Sequence, residues 1–319
     1  MKVLVTGGAG FIGSNLVEKL LADNRISLVR VLDNFATGSP KNLQSFTASE
    51  KFHFIEGDIR NYATCLKACE GINCISHQAA LGSVPRSIND PLTTNEVNIT
   101  GTLNIFTAAK EQKVKRVLYA ASSSTYGDHP GLPKTEDIIG KPLSPYAVTK
   151  YVNELYANVY ASLYGIEFIG FRYFNIFGPR QNPKGAYAAV IPLFVKALLE
   201  NTPPVINGDG SHSRDFTFVD NAVQANMLGI FTDNKDAINQ VYNIACGQQT
   251  SLSQLFEGLR EEAQSTLQPV HGPERQGDVK HSLADISKAE KLLQYKPLIS
   301  VKEGLRATFN WYKENIDQL

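Results

Sequence analysis

The chain carries no excess of either charge: 31 Lys and Arg balance 31 Asp and Glu in 319 residues, and no long basic block is present. This argues against nucleic acid as the main ligand, because phosphate backbones need a concentrated positive face. No apolar run approaches the roughly 18–20 residues of a membrane span. The N-terminus has no signal-peptide plan, since Val3, Leu4 and Val5 lead straight into a glycine turn. No membrane partner and a cytoplasmic location are therefore expected. Cysteine is scarce, with only Cys65, Cys69, Cys74 and Cys246. The spacing of the first three is not the paired Cys-x-x-Cys of a zinc site, so small buried thiols in a reducing compartment are expected. The six histidines show no metal-ligand spacing either, and no metal is expected. Repeats, low-complexity stretches and flexible linkers are absent.

What the chain does have is alternation. Short apolar runs predict strands at 2–6, 29–33, 53–56, 74–77, 116–122 and 168–173. Between them, apolar residues at helical spacing predict helices over 14–22, 64–68, 98–111 and 146–164. Such alternation implies an α/β fold, a doubly wound parallel sheet with helices on both faces. After Tyr173 the texture changes, as Gly178-Pro179, Pro183, Pro203-Pro204, Gly208 and Gly210 crowd the chain. The expected division is a first domain over 1–173 and a smaller α/β substrate domain over 174–319. A strongly helical stretch at 218–231 places 217–242 back with the first domain.

The glycines fall as Gly7-x-x-Gly10-x-x-Gly13 after the first predicted strand. One glycine turns the chain, one lets backbone approach a pyrophosphate, and one lets the helix pack close to its strand. A helix opening near Phe11 points its N-terminal amides at the phosphates. Asp33 lies twenty residues past Gly13, at the end of the next strand. A carboxylate there accepts both ribose hydroxyls and repels a 2′-phosphate, so a Rossmann-type site for NAD rather than NADP is expected. Asp58 and Ile59, after the third strand, are placed beside the adenine.

A run of hydroxyls, Ser122, Ser123, Ser124 and Thr125, ends the fifth strand. Tyr146 and Lys150 follow, one helical turn apart, after Ser144-Pro145; of the 13 tyrosines only Tyr146 has a lysine at i+4. A free phenol titrates near pH 10, and making it a base near pH 7 takes roughly 4 kcal/mol. Lys150, on the same helix face, supplies one positive charge; an oxidised nicotinamide supplies another. Ser122 or Ser123 holds a substrate oxygen as its proton leaves. The chemistry expected is reversible hydride transfer at a carbinol carbon.

These residues resemble the extended short-chain dehydrogenase/reductases that act on nucleotide sugars, over essentially the whole chain. The likeness runs through Gly7, Gly10 and Gly13, Asp33, Asp58, His77-Gln78-Ala79-Ala80, Asn98, Tyr126-Gly127, the Tyr146/Lys150 pair and Arg172-Tyr173-Phe174-Asn175. It continues in Arg214-Asp215-Phe216 and Arg275-x-x-Asp278. The resemblance implies a bound NAD held by Gly7, Gly10, Phe11, Ile12 and Gly13, with Asp33, Asn34, Gly38, Asp58 and Ile59 at its adenosine. Gln78, Ala79, Ala80, Asn98, Tyr146, Lys150 and Tyr173 complete the implied cofactor set. It also implies a UDP-sugar whose 4-hydroxyl faces Tyr146, with Asn175, Arg214 and Arg275 at the nucleotide and diphosphate. Two arginines suit a pyrophosphate on physical grounds as well.

Within the family the chain looks most similar to bacterial UDP-N-acetylglucosamine/UDP-N-acetylgalactosamine 4-epimerases. Residues 82–87, 120–130, 185–192 and 277–282 carry that likeness. It implies a sugar pocket drawn from Gly82, Ser83, Arg86, Ser122, Ser123, Ser124, Ala189 and Val190, with Asn207, Asp278 and Ser282. The small side chain at Ser282 leaves room for an N-acetyl group that a tyrosine would crowd; the competing reading has Ser282 capping a helix over 283–293. Sister dehydratases and decarboxylases need an acidic residue in the hydroxyl run, and none precedes Tyr126. Epimerisation at C4 of a UDP-N-acetylhexosamine is therefore expected. The alternatives are a UDP-uronic acid with Arg86 or Lys280 at its carboxylate, or a nucleotide-sugar-binding protein without chemistry. Val152, Leu155 and Val159, at helical spacing on the Tyr146 helix, point to a homodimer, unless the stripe packs on the sheet.

Overall fold

A computed structural model describes residues 1–183, 189–273 and 280–316. Seven strands form one sheet: β1 (Lys2–Thr6), β2 (Leu28–Asp33), β3 (Phe52–Glu56), β4 (Cys74–His77), β5 (Arg116–Ser122), β6 (Glu167–Tyr173) and β7 (Gln240–Ile244). Their order is β7-β6-β5-β4-β1-β2-β3 and every neighbour pair is parallel. Parallel strands need both faces covered, which explains the apolar runs at the centres of β1, β5 and β6. Val3 and Val5 face one layer of core with Leu16, Val17, Leu20 and Val223. Leu4, between them, faces the other with Ile59, Phe106, Tyr119 and Phe168. The alternation follows from the two-residue period of a strand.

Helices α1 (Phe11–Leu21) and α5 (Val219–Phe231) cover the first face; α2 (Tyr62–Cys69), α3 (Gly101–Glu111) and α4 (Pro145–Tyr164) cover the second. Strand order reverses between β1 and β4, so a crevice opens beyond their carboxyl ends. Beyond β6 the chain builds three two-stranded ladders: Ile176–Phe177 with Thr217–Phe218, Ser213–Arg214 with Thr250–Ser251, and Val205–Asn207 with Val270–Gly272.

The predicted strands 2–6, 74–77 and 116–122 agree with the structure to the residue, and the other three each gain one residue at the start. Helix α1 starts at Phe11 rather than 14, because extended Gly10 already serves as its N-cap. Helix α3 is continuous with a π-helical turn, Glu96–Thr100, and a short helix, Pro91–Asn95. Two features differ from the sequence reading. Strand β7 was not predicted. The helix expected over 283–293 begins only at Ser287. The backbone N–H of Lys134 donates to Leu283 O, and Asp285 N–H donates to Lys134 O, so 283–285 is held extended. Ser282 therefore caps no helix.

Cys65, Cys69 and Cys74 are buried free thiols, each pushed up to about 12 by burial, and Cys246 is half-buried. Among the described residues no three His, Cys, Asp or Glu side chains gather as a metal would need, and no helix is long and apolar enough to cross a membrane.

Candidate active site

The turn after β1 is compact enough to require glycine. Gly7 has φ +70°, and a Cβ there would sit 2.7 Å from the backbone N of Ala79. A Cβ on Gly13 would lie 2.1 Å from Gly7 O, so α1 can approach the turn only without a side chain. The opening of α1 at Phe11, Ile12 and Gly13 therefore stands over the crevice, with N–H groups that no helical carbonyl takes. Asp33 ends β2 at 8 % exposure. Its carboxylate accepts from Ala9 N–H at 2.9 Å and Phe35 N–H at 2.8 Å, which aims it at the turn. Burial raises its pKa. Gly38 lies beside Ala9, and Ser39 N–H and the Asn42 amide both donate to Ala9 O. Asn34 donates to Asp58 at 3.0 Å, and Asp58 is held well below the usual carboxylate range by Arg60. The Ile59 side chain is buried against Gly101.

Behind this cradle runs a hydrogen-bond relay that sequence reasoning missed. Ala79 N–H donates to Thr6 Oγ1, which pairs with His77 Nδ1 at 2.7 Å; His77 Nε2 pairs with Thr102 Oγ1 at 2.9 Å. Thr102 gives its own proton to Asn98 O. Nε2 must then be the donor and Nδ1 the acceptor. Burial lowers the imidazole to about 3, so the ring is neutral. Asn98 is fully buried and bonds Leu81 N–H, Leu81 O and Thr149. It braces the segment of Ala79, Ala80 and Gly82 against α4 rather than opening a polar atom to the cleft. Gln78 donates to Ser76 and Asn226, Asn226 donates to Tyr173 Oη at 2.7 Å, and Gln78 Oε1 is buried without a partner.

Ser144 caps α4 by accepting from Ala147 N–H, with Pro145 in its first turn. This sets Tyr146 over the end of β5. Ser122 Oγ accepts from both Ser124 N–H and Ser124 Oγ, leaving its own proton for the Tyr146 oxygen beside it. Ser123 opens the 3-10 turn Ser123–Tyr126. Lys150 is 3 % exposed and donates to Ala120 O at 2.8 Å; its Nζ lies 5.9 Å from the Tyr146 ring centroid. Burial brings Lys150 down to about 8. Burial pushes the Tyr146 phenol up and outweighs the bond from Ser122. The protein alone therefore holds a protonated phenol. One turn past Lys150, Glu154 makes a two-pronged ion pair with Arg172 of β6, at 2.9 and 2.7 Å, both side chains 5 % exposed.

Toward the second half lies a cavity of about 570 Å³ that brings together Asn175, Ala189, Val190, Asn207 and Arg214. His212, Leu193 and Phe216 also line it. Sequence reasoning missed His212 and Leu193, though His212 lies two residues before the Arg214-Asp215-Phe216 motif it did single out. Asn175 donates to Asp215 O; Arg214 donates to Ser213 O and Lys280 O. Asp215, raised to about 6 by burial, accepts N–H bonds from Cys246, Gly247 and Ala284. Ser282, half-buried, donates its N–H to Ser213 O. Ser83 has φ +102° and caps the short helix Val84–Asn89, which carries Arg86; Gly82 is exposed. Arg275 and Asp278, with 185–188, lie outside the described residues.

The family model described as "NAD dependent epimerase/dehydratase family" matches residues 3–245. The chain belongs to that family. A putative UDP-glucose 4-epimerase of Methanocaldococcus jannaschii is 37 % identical over 98 % of this chain and 99 % of its own length. Among solved structures, the epimerase is similar to a UDP-N-acetylglucosamine 4-epimerase of Methanobrevibacter ruminantium M1 in complex with UDP-N-acetylmuramic acid. The TM-score is 0.92 and identity 39 %, with 98 % of each chain covered. It is also similar to a UDP-glucuronic acid 4-epimerase of Bacillus cereus in complex with UDP-glucuronic acid and NAD. There the TM-score is 0.91 and identity 34 %, covering 99 % of this chain and 100 % of that one. The cofactor of this epimerase is NAD, and the glycine turn, the opening of α1 and Asp33 fit a dinucleotide.

The buried lysine has a consequence for stability. Its folded pKa of about 8 lies below the unfolded value of 10.5, so the folded chain binds fewer protons between those pH values. Stability from this group then rises with pH across that window and is flat below it. Relative to Lys150→Met, the wild-type chain is expected to gain roughly 2–3 kcal/mol between pH 7.5 and 10. Urea unfolding at the two pH values checks this; a constant difference refutes it.

Proposed function

We propose that this NAD-dependent nucleotide-sugar 4-epimerase interconverts UDP-N-acetylglucosamine and UDP-N-acetylgalactosamine through a 4-keto sugar. NAD held by the glycine turn, the opening of α1 and Asp33 would supply a hydride acceptor and donor for C4 and a positive charge to lower the Tyr146 phenol. Tyr146 takes the proton of the 4-hydroxyl and later gives it back. Ser122, its two acceptor positions taken by Ser124, donates to the phenolate and steadies it. Lys150 keeps a positive charge on the same helix face. Ser123 and Ser124 meet the sugar, and no carboxylate in the run is placed for eliminating water. The cavity bordered by Asn175, Asn207 and Arg214 takes the nucleotide and diphosphate. In this reading 1–173 with 217–242 holds the cofactor, and the rest of 174–319 holds the UDP-sugar.

The choice of sugar rests on Ser282, which the family resemblance sets beside the sugar's 2-substituent. A small side chain on extended backbone, committed to no helix cap, leaves space for a 2-acetamido group. A uronic acid is the second reading, favoured by the likeness to the Bacillus cereus enzyme, with Arg86 or Lys280 at the carboxylate. A protein without chemistry is disfavoured by the intact arrangement of Tyr146, Lys150 and Ser122.

Incubating purified protein with UDP-N-acetylglucosamine, UDP-glucose and UDP-glucuronate, with no added NAD, tests the reading directly. Chromatography is expected to show UDP-N-acetylgalactosamine forming fastest. Tyr146→Phe is expected to lose about 1,000-fold in turnover; near-normal turnover by that variant would overturn the mechanism. Ser282→Tyr is expected to cut kcat/KM for the acetylated sugar at least about 10-fold more than for UDP-glucose. An equal loss on both removes Ser282 from the argument.

A homodimer is part of the same proposal. The side of α4 that packs on the sheet carries Ala147, Lys150, Asn153 and Ala157, whereas Val148, Leu155, Val159 and Leu163 are 46 to 67 % exposed. Val152 between them is half-buried, and Leu92 on a neighbouring helix is 78 % exposed. An apolar stripe of this kind is matched by its own copy across a two-fold axis. Light scattering is expected to give twice the 35.0 kDa chain mass, and the single chain mass for a Leu155→Glu/Val159→Glu double variant. A monomeric wild-type protein removes the dimer.

A further inference from the structure

Asn243 lies near the carboxyl end of β7, fully buried, and is not among the residues assigned to the site. Its side-chain N–H groups donate to two carbonyls, Lys134 O at 2.8 Å and Asp285 O at 2.9 Å. Its side-chain oxygen accepts from Tyr126 Oη at 2.6 Å, and its backbone N–H donates to the Glu136 carboxylate at 2.9 Å. Both amide donors and the amide oxygen are thus engaged. The two carbonyls it grips belong to the seam where Lys134 pairs with Ala284. That seam holds 283–285 extended, immediately after Ser282. Tyr126, for its part, ends the 3-10 turn of the hydroxyl run, and its ring lies 4.8 Å under the Arg172 guanidinium that is paired to Glu154 of α4. One buried network therefore joins the catalytic helix, the hydroxyl run and the Ser282 segment.

We infer that Asn243, fastened by Tyr126, is a positioning residue that sets the distance between the Ser282 wall of the sugar pocket and the catalytic helix. It touches no substrate. It acts through the Lys134–Asp285 seam, and its bearing on the sugar rests on the reading of Ser282 above. A threefold-bonded amide suits this task because each bond fixes a different segment. A carboxylate would face two carbonyl oxygens at hydrogen-bond distance, and an apolar residue would strand both carbonyls and the tyrosine hydroxyl.

Tyr126→Phe keeps the ring beneath Arg172 and removes the hydroxyl's bond to Asn243 together with its contact to the Arg172 guanidinium, whereas Asn243→Ser leaves that contact in place. Native-state hydrogen exchange on the whole chain reads the positioning without any substrate. Amides of 282–285 are expected to exchange about 10-fold faster in Tyr126→Phe, with those of β1, β2 and α1 unchanged. In parallel, KM for UDP-N-acetylglucosamine is expected to rise about 5-fold. The change for UDP-glucose is expected to stay under about 2-fold, and the pH profile of kcat in place. Unaltered exchange at 282–285, or acceleration spread equally over all amides, overturns the inference, as does an equal KM rise for both sugars. Should Tyr126→Phe fail to fold, Asn243→Ser is held to the same outcomes. A wild-type protein that turns over no acetylated sugar removes the reading of Ser282. The exchange measurement then decides the positioning role by itself.

Discussion

The buried ion pair between Glu154 and Arg172 is the constraint on which the site depends. Helix α4 carries both Tyr146 and Lys150, and a helix lying on a sheet by apolar contact alone can slide. Two parallel hydrogen bonds from a planar guanidinium remove that freedom, because they fix direction as well as distance. Lys150 bonded to Ala120 O adds a second pin, one turn earlier and on the neighbouring strand. Such a pair adds little net stability over an apolar substitute, yet breaking it strands a charge at a cost of about 3–5 kcal/mol. Its value here is geometric: the phenol oxygen stays over the end of β5, against Ser122.

Burial then decides the chemistry of that oxygen. Removing Tyr146 and Lys150 from water disfavours the charged form of each, raising the phenol and lowering the ammonium. Desolvation of the phenol therefore adds to the charge needed, which the sequence reading divided between Lys150 and an oxidised nicotinamide. The protein supplies a positioned, protonated acid–base group with a hydroxyl donor beside it. In the proposed mechanism the remaining positive charge would come with the cofactor. The same logic explains His77. Held neutral at about 3 between two threonines, it adds no charge to the cleft and serves only to carry a directed chain of hydrogen bonds to Ala79.

The elements most legible from sequence were those with a local signature. The glycine turn, Asp33 at the end of β2, and the apolar centres of β1 and β5 each announce themselves within a few residues. Strand β7 did not. Its short stretch, Gln240-Val241-Tyr242-Asn243-Ile244, mixes polar and apolar residues because Asn243 is reserved for the buried network. The helix predicted over 283–293 failed for a related reason. Apolar spacing at Leu283, Ile286 and Leu293 reads as a helix, but the backbone of 283–285 is taken by Lys134, about 150 residues earlier. Long-range hydrogen bonds of this sort leave no periodic trace. Tyr126, Arg172 and Glu154 could be seen as residues, but not as one cluster.

Asp215, between the cavity-lining Arg214 and Phe216, shows why a carboxylate rather than an amide is used there. It receives N–H groups from Cys246, Gly247 and Ala284, which belong to the loop after β7 and the segment after Ser282. A carboxylate offers two oxygens as acceptors and no donor, whereas an asparagine there would turn an NH₂ toward one of those N–H groups. The backbone oxygen of the same residue accepts from Asn175, and its neighbour Arg214 reaches Lys280 O. Burial raises this carboxyl to about 6, which leaves it ionised near neutrality by a modest margin. Backbone groups from two separate segments thus converge on one buried charge, and the Asn175 and Arg214 side chains tie the cavity's wall to the same assembly.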